Sequence, residues 1–429
     1  MSDHKGSPCR SGWPGSVTGI TFPRSIEYGQ WMAELYSRRS FLAGVLTAGM
    51  LSTSAGYFLT RRRQVTLTLA TGADPTGGRQ LLVNMWNSQN PGTRIEVQEV
   101  NSSTRDQFDK FNQTKADLFN LDVIHIPRFV AEDKIVSIDP RNDISLLQPV
   151  NQVCRRAGTD QFWAVPFNSD VGMLFRRVTD KRTDAAPTLE QVMAAAVTGP
   201  VRFAGQLDTV GTQTDEAFVC NVLEQALAQD DAILDETGTL SYGLGQWQSA
   251  LAPLADAVRR HRVVAAAGED DTTRAFQQQN LRYMRSWPVR FPPLDQAVRQ
   301  ADPDTAEIRL GRLPIGILGG QSLAVAKAGP HRDEAIRAIH FLTDTTAQKV
   351  LTEFGFAPTG VDAYIDADLQ QSLPHLSLIR YAVEGSRPRP MHANYAEFAA
   401  RFADHMRRYL HDGEPLTQQF STDIREALR

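Results

Sequence analysis

The chain has 429 residues, 45 of them basic and 49 acidic, for a formal net charge of −4. Hydrophobic residues make up 41 % and charged residues 22 %, the balance of an ordinary globular protein, which excludes a disordered tail protein, a collagen-like fibre and a multi-span membrane protein. The length suggests two domains, each with its own core. The slight negative charge argues against nucleic acid as a partner, because phosphate binding needs a concentrated positive field.

The N-terminal part reads differently from the rest. Residues 1–36 show no periodicity and are expected to be a disordered tail. Ser37-Arg38-Arg39-Ser40 then precedes an uncharged run of 19 residues, FLAGVLTAGMLSTSAGYFL (41–59), followed by Arg61-Arg62-Arg63. Paired arginines ahead of an apolar stretch rich in Gly, Ala and Thr look like a twin-arginine export signal. Residues 37–63 are therefore expected to be either a signal cleaved near Thr53-Ser54-Ala55 or a retained membrane anchor. Both place the remainder outside the cytoplasm.

From Gln64 onward, strands and helices alternate. Val65 to Ala70 alternates as a strand and runs into the turn Thr71-Gly72-Ala73-Asp74-Pro75-Thr76-Gly77-Gly78. A helix with Leu82, Met85 and Trp86 on one face ends at Asn90-Pro91-Gly92. Arg94 to Val100 alternates again, a polar helix spans Ser103 to Asn112, and Leu121 to Ile126 is a buried strand. This order predicts a parallel, doubly wound sheet with ligands beyond the carboxyl ends of its strands. Asp74, Thr76, Asn101, Ser102, His125 and Arg128 fall near that rim.

A second module begins with the strand Val171 to Phe175 and carries helices near 188–197, 214–229 and 245–261. Gly319-Gly320-Gln321 is a glycine turn feeding another strand. The helix after Pro330 has acids Asp333 and Glu334 in its first turn and Ala335, Ala338, Ile339 and Leu342 on one face. Three cysteines are too few for a disulfide framework; Cys154 and Cys220 pair only if the fold brings them together, and Cys220 sits in an apolar helical stretch that suits a buried thiol. No Cys/His spacing suits zinc, and no cofactor is expected.

Six stretches in this order carry a resemblance: 86–100 (WNSQNPGTRIEVQEV), 121–132 (LDVIHIPRFVAE), 163–177 (WAVPFNSDVGMLFRR), 275–288 (AFQQQNLRYMRSWP), 318–327 (LGGQSLAVAK) with 341–351 (FLTDTTAQKVL), and 386–395 (SRPRPMHANY). Together they resemble the extracellular solute-binding proteins of carbohydrate ABC importers, in the branch that includes maltose- and trehalose-type binders. The resemblance implies an α/β fold of the periplasmic-binding-protein type II class: two lobes, each a doubly wound sheet with helices on both faces, joined by a hinge. It places lobe one at 64–166 plus 318–355 and lobe two at 167–317 plus 356–429. It implies a small-molecule solute, a carbohydrate, held between the lobes without chemistry, ABC permease subunits as partners, and a monomer. The chain departs from the family in lacking a lipid-anchoring cysteine, in Pro127, Arg128 and Lys134 after the third strand, and in Gln321 at a position that is often aromatic.

A neutral sugar needs donors and acceptors for its hydroxyls and aromatic rings for its C–H faces. Trp287 matches a position where the family places an aromatic platform; the alternative is a core tryptophan ending a strand. Asp74 and Thr76 either meet ligand hydroxyls or simply cap the first helix. Asn168 and Asp170, at the first lobe crossing, either touch ligand or brace the hinge. Gly319, Gly320 and Gln321 offer backbone approach and an amide, or only a tight turn. Arg128 and Arg290 matter for an anionic solute and are otherwise surface arginines. No carboxylate pair at strand ends, nucleophile elbow or phosphate loop supports an enzyme. A membrane-anchored sensor or scaffold that kept the binding fold is the remaining alternative.

Overall fold

The computed structural model describes residues 64–100, 104–139, 144–178, 187–198, 203–208, 216–301 and 307–429. The expected tail and export segment, 1–63, lie outside the described residues. Among the described residues no helix is long and apolar enough to cross a membrane.

The first lobe opens with β1 (Val65–Thr71), α1 (Gly78–Gln89), β2 (Thr93–Glu99), α2 (Thr104–Gln113) and β3 (Leu118–Asp122). β1 pairs in parallel with both β2 and β3, as strand–helix–strand alternation dictates. Leu67, Leu69, Leu118 and Leu121 are wholly buried because both faces of this sheet are covered by helices. α1 starts where the Asp74 carboxylate accepts the Thr76 and Arg79 amides, each at 2.9 Å. It buries Leu82, Val83 and Trp86 and ends at Asn90 ahead of Pro91. Phe108, Phe111, Phe119 and Phe129 interlock beneath the sheet, with Phe108 and Phe129 ring centres 5.0 Å apart. Each such edge contact adds about 0.5–1.5 kcal/mol beyond burial.

The third strand ends sooner than its apolar run predicts. The Asp122 carboxylate accepts the Ile124 amide at 3.1 Å and turns Val123–His125 into a 3-10 turn. Pro127 then sits in the first turn of α3 (Ile126–Ala131). β4 (Ile135–Val136), α4 (Gln148–Cys154) and β5 (Val165–Val171) follow.

Gly172 separates β5 from β6 (Met173–Val178), the first strand of the second lobe. That lobe continues with α5 (Leu189–Thr198), β7 (Phe203–Gln206), α6 (Glu216–Leu227), α7 (Leu244–Arg259), β8 (Val263–Ala266), α8 (Glu269–Gln278), β9 (Tyr283–Ser286), α9 (Phe291–Ala301) and β10 (Glu307–Arg312). Its five-stranded sheet has the order β10-β6-β9-β7-β8. The chain returns as β11 (Leu318–Ala326), which enters the first sheet antiparallel to β3, β4 and β5. The first sheet is therefore mixed rather than wholly parallel.

α10 (Arg332–Leu342) and α11 (Thr345–Glu353) pack on α1. α12 (Val361–Tyr364), α13 (Ala367–Ser372) and α14 (Leu376–Glu384) follow, and α14 packs on β5, α4 and β10. After a third passage, α15 (Tyr395–Arg407) and α16 (Gln418–Ala427) pack on α6 and α7, where Trp247, Phe402 and Phe420 meet edge to face.

Candidate functional site

Three chain segments pass side by side between the two sheets. The first runs β5–Gly172–β6, and the second runs β10 to β11 through Leu313–Ile317. In the third, the Arg387 amide donates to the Gly316 carbonyl at 3.0 Å, and the Arg387 carbonyl accepts the Leu318 amide at 2.8 Å. The side chains at this crossing come from the crossing strands and the loops next to them.

On the first-lobe side, β5 and β11 place Asn168 opposite Gln321 and Asp170 opposite Gly319. Gln321 accepts from the Asn120 amide at 2.8 Å, and the same amide reaches Thr71 at 3.0 Å. The side-chain carbonyls of Asn120 and Asn168 are buried with no hydrogen-bond partner among the described residues. A buried acceptor left without a partner in this way suits an enclosed water. Gly320 has φ of 116°, and a Cβ there would stand 2.3 Å from the Asn168 carbonyl oxygen, so only glycine lets the two strands approach.

The second lobe brings Trp287, directly after β9, against Gly319: a Cβ on Gly319 would lie 3.5 Å from the ring. The indole N–H donates to Glu269 at the start of α8. Glu269 also pairs with Arg290 at 3.3 Å, and Arg290 reaches Asp270 at 2.7 Å. One indole face is already covered by the Arg285 guanidinium, 3.8 Å from the ring centre. Burial, with the Glu269 and Asp122 carboxylates nearby, pushes the Asp170 carboxyl well above its usual range.

Arg389, from the third crossing, is 2 % exposed and spans the lobes. It reaches Asp122 at the end of β3 at 3.0 Å and Glu216 at the start of α6 at 2.7 Å. The Tyr395 hydroxyl donates to the same Glu216. Burial raises the Glu216 carboxyl, with Arg389 and Tyr395 pulling it back.

The remaining sequence-selected residues lie elsewhere or are otherwise engaged. Asp74 and Thr76 bond each other at 2.7 Å and cap α1. Arg128 lies 3.5 Å over the Phe108 ring and pairs with Glu132 at 3.0 Å. His125 is buried in the 3-10 turn after β3. Asn101 and Ser102 lie outside the described residues. Asn168, Asp170, Gly319, Gly320 and Gln321 face one another across β5 and β11, Trp287 approaches them at Gly319, and Arg290 joins Trp287 through Glu269.

Glu269, Asp122, Asn120, Arg285 and Arg389 escaped the sequence reading. Two of them had a signal there: Arg285 stands one residue from Ser286-Trp287, and Arg389 lies within SRPRPMHANY. Cys154 and Cys220 are both buried and unpaired. Among the described residues no group of three His, Cys, Asp or Glu side chains could hold a metal ion.

Comparison with solved structures settles the architecture. The maltose-bound MalE3 of T. maritima superposes with a TM-score of 0.71 at 22 % identity, covering 85 % of this chain and 99 % of that one. The chain has the two-lobed fold of the ABC-importer sugar-binding proteins. The GacH receptor of Streptomyces glaucescens, solved unliganded and with acarbose, shares that solute-binding fold at TM-score 0.71, 16 % identity and coverage of 85 % and 98 %. The sugar-binding protein MalE of Xanthomonas citri matches at TM-score 0.66, 18 % identity and coverage of 85 % and 97 %. A probable ABC transporter-binding protein of Deinococcus radiodurans is 22 % identical over 233 residues, 49 % of this chain. The match spans about half, 54 %, of that curated relative. No protein-family model matches the chain.

Proposed function

We propose that the protein is the extracytoplasmic solute-binding component of an ABC importer. It takes a sugar or oligosaccharide into the crevice between its lobes and releases it unchanged to permease subunits. The observation that carries this reading is the meeting, over a three-segment hinge, of side-chain amides (Asn120, Asn168, Gln321), a carboxyl (Asp170) and an indole (Trp287). Those groups match the hydroxyls and C–H faces of a polyhydroxy ligand. The sugars that structural relatives hold support the same class of solute.

The lobes of this reading follow the sheets. Lobe one takes 64–171 and 318–384, and lobe two takes 173–312 and 395–427, which sets the last crossing near Arg387 rather than near residue 355. The arginine-flanked run at 41–59 supports export, either as a cleaved signal or as an anchor.

The test is a thermal-unfolding panel of maltose, maltodextrins, trehalose and acarbose at millimolar concentration, followed by recovery of the ligand. Binding at a hundredfold excess over Kd stabilises the native state by about 2.7 kcal/mol, readily seen as a raised Tm. No shift across a broad carbohydrate panel refutes the carbohydrate reading, and a chemically altered ligand refutes the claim of binding without chemistry.

A further inference from the structure

The second lobe holds a charged pair that does not itself line the crevice. Arg285 and Glu224 are both wholly buried and joined by two parallel contacts, Nε to Oε2 at 2.7 Å and Nη2 to Oε1 at 2.8 Å. Two charges removed from water are tolerated only when their remaining valences are also partnered. Arg285 Nη1 points to Gln206 Oε1 at 3.5 Å, and the pair's other contacts run in two directions.

Toward the hinge, Glu224 Oε1 accepts the Ile317 amide of the second crossing at 3.1 Å. A Cβ on Gly172, in the first crossing, would stand 1.9 Å from that same oxygen. Toward the crevice, the Arg285 guanidinium lies over the Trp287 ring at 3.8 Å, while the edge of that ring faces Gly319 of the first lobe. One continuous chain of contacts therefore runs from two crossing segments, through Glu224 and Arg285, to the indole that borders both lobes.

We propose that the Glu224–Arg285 pair is a strut between hinge and crevice: Arg285 is a positioning residue that seats the Trp287 indole, and Glu224 fixes Arg285 to the crossing strands. The planar guanidinium is required because it can fork to a carboxylate and stack on an indole at once, which a lysine ammonium cannot do. This inference rests on the crevice being the ligand site, but the seat of the ring is measurable without ligand.

The experiment uses the full chain with Arg285→Lys and the double variant Glu224→Gln/Arg285→Met. The double change removes both charges, since either charge left alone in the core is strongly destabilising. Subtracting the fluorescence of each Trp287→Phe counterpart isolates Trp287 among the six tryptophans. In both variants the Trp287 emission is expected to move to longer wavelength and become more open to acrylamide quenching. The Kd for maltose or acarbose is expected to rise about tenfold.

A merely structural role would lower Tm and leave the Trp287 component where it was, and that result overturns the proposal. If the double variant does not fold, Arg285→Lys alone decides. A displaced ring with unchanged Kd overturns the link to ligand. If the parent protein binds neither sugar, the carbohydrate reading fails for those sugars, while the ring measurement still decides the strut.

Discussion

Gly172 and Glu224 occupy a space that holds one side chain, with the carboxylate oxygen 1.9 Å from where a Cβ on residue 172 would stand. Gly172→Ala must either push Glu224 off Arg285 or force the first crossing away from α6. Overpacking costs about 1–3 kcal/mol, and breaking a buried pair about 3–5 kcal/mol. The variant is expected to lose about 3 kcal/mol or more in a denaturant titration. A loss below about 1 kcal/mol would show that the carboxylate has room to move.

Gly320 sets a second backbone constraint. With φ at 116° and the Asn168 carbonyl oxygen 2.3 Å from a built Cβ, Gly320→Ala combines left-handed strain with a clash between β5 and β11. The expected cost is about 2–3 kcal/mol. Gly92→Ala, in an open turn with nothing within 4 Å, is the control and should change stability by no more than about 0.5 kcal/mol.

His375 gives the fold an acid-sensitive point. Its ring lies 4.4 Å from the Phe291 ring centre, and burial lowers its pKa from 6.5 to about 4. Between those values the unfolded chain binds the proton and the folded chain does not, so stability falls as pH drops from 6.5 toward 4. At 1.36 kcal/mol per pH unit the loss approaches about 3 kcal/mol at the lower end. Urea unfolding of the parent and of His375→Gln across this range checks it: the variant should lose less stability on acidification, and parallel curves would refute the assignment.

The two described cysteines are expected to be inert in the folded protein. Burial pushes the Cys154 thiol up to about 12, against a 3.2 Å contact with Ser322 that lowers it, and raises Cys220 well above the usual range. Peptide mapping after N-ethylmaleimide at pH 8 should find both unmodified in native protein and both alkylated in urea. Native labelling of either would show that its lobe opens locally.

Much of the first sheet could be read from residue order, because local chemistry decides it. Val65 to Thr71 and Arg94 to Val100 alternate, and the helix between them is capped and stopped by neighbours in sequence. The end of β3 was harder to see, since one carboxylate, Asp122, overrides an apolar run that continues to Ile126. The reversed direction of β11 was not legible, as it depends on where a distant strand inserts.

The site divides in the same way. Asp170, Trp287 and Gly319 stood out as residue types next to turns and crossings. Glu224 reveals itself only when two remote segments are brought together, 61 positions from its partner Arg285. Asp74 and Thr76 drew attention for their position, yet a helix start consumes the same donors and acceptors as a ligand does.

The insertion of β11 has a consequence for biosynthesis. It sits between β3 and β5, and its contact from Gln321 to Asn120 spans 201 positions. While a ribosome is still making the intervening residues, β3 and β5 have no partner at the centre of their sheet, and exposed strand edges invite misassociation. The N-terminal half therefore cannot mature ahead of the rest. Long-range strand pairing of this kind slows folding.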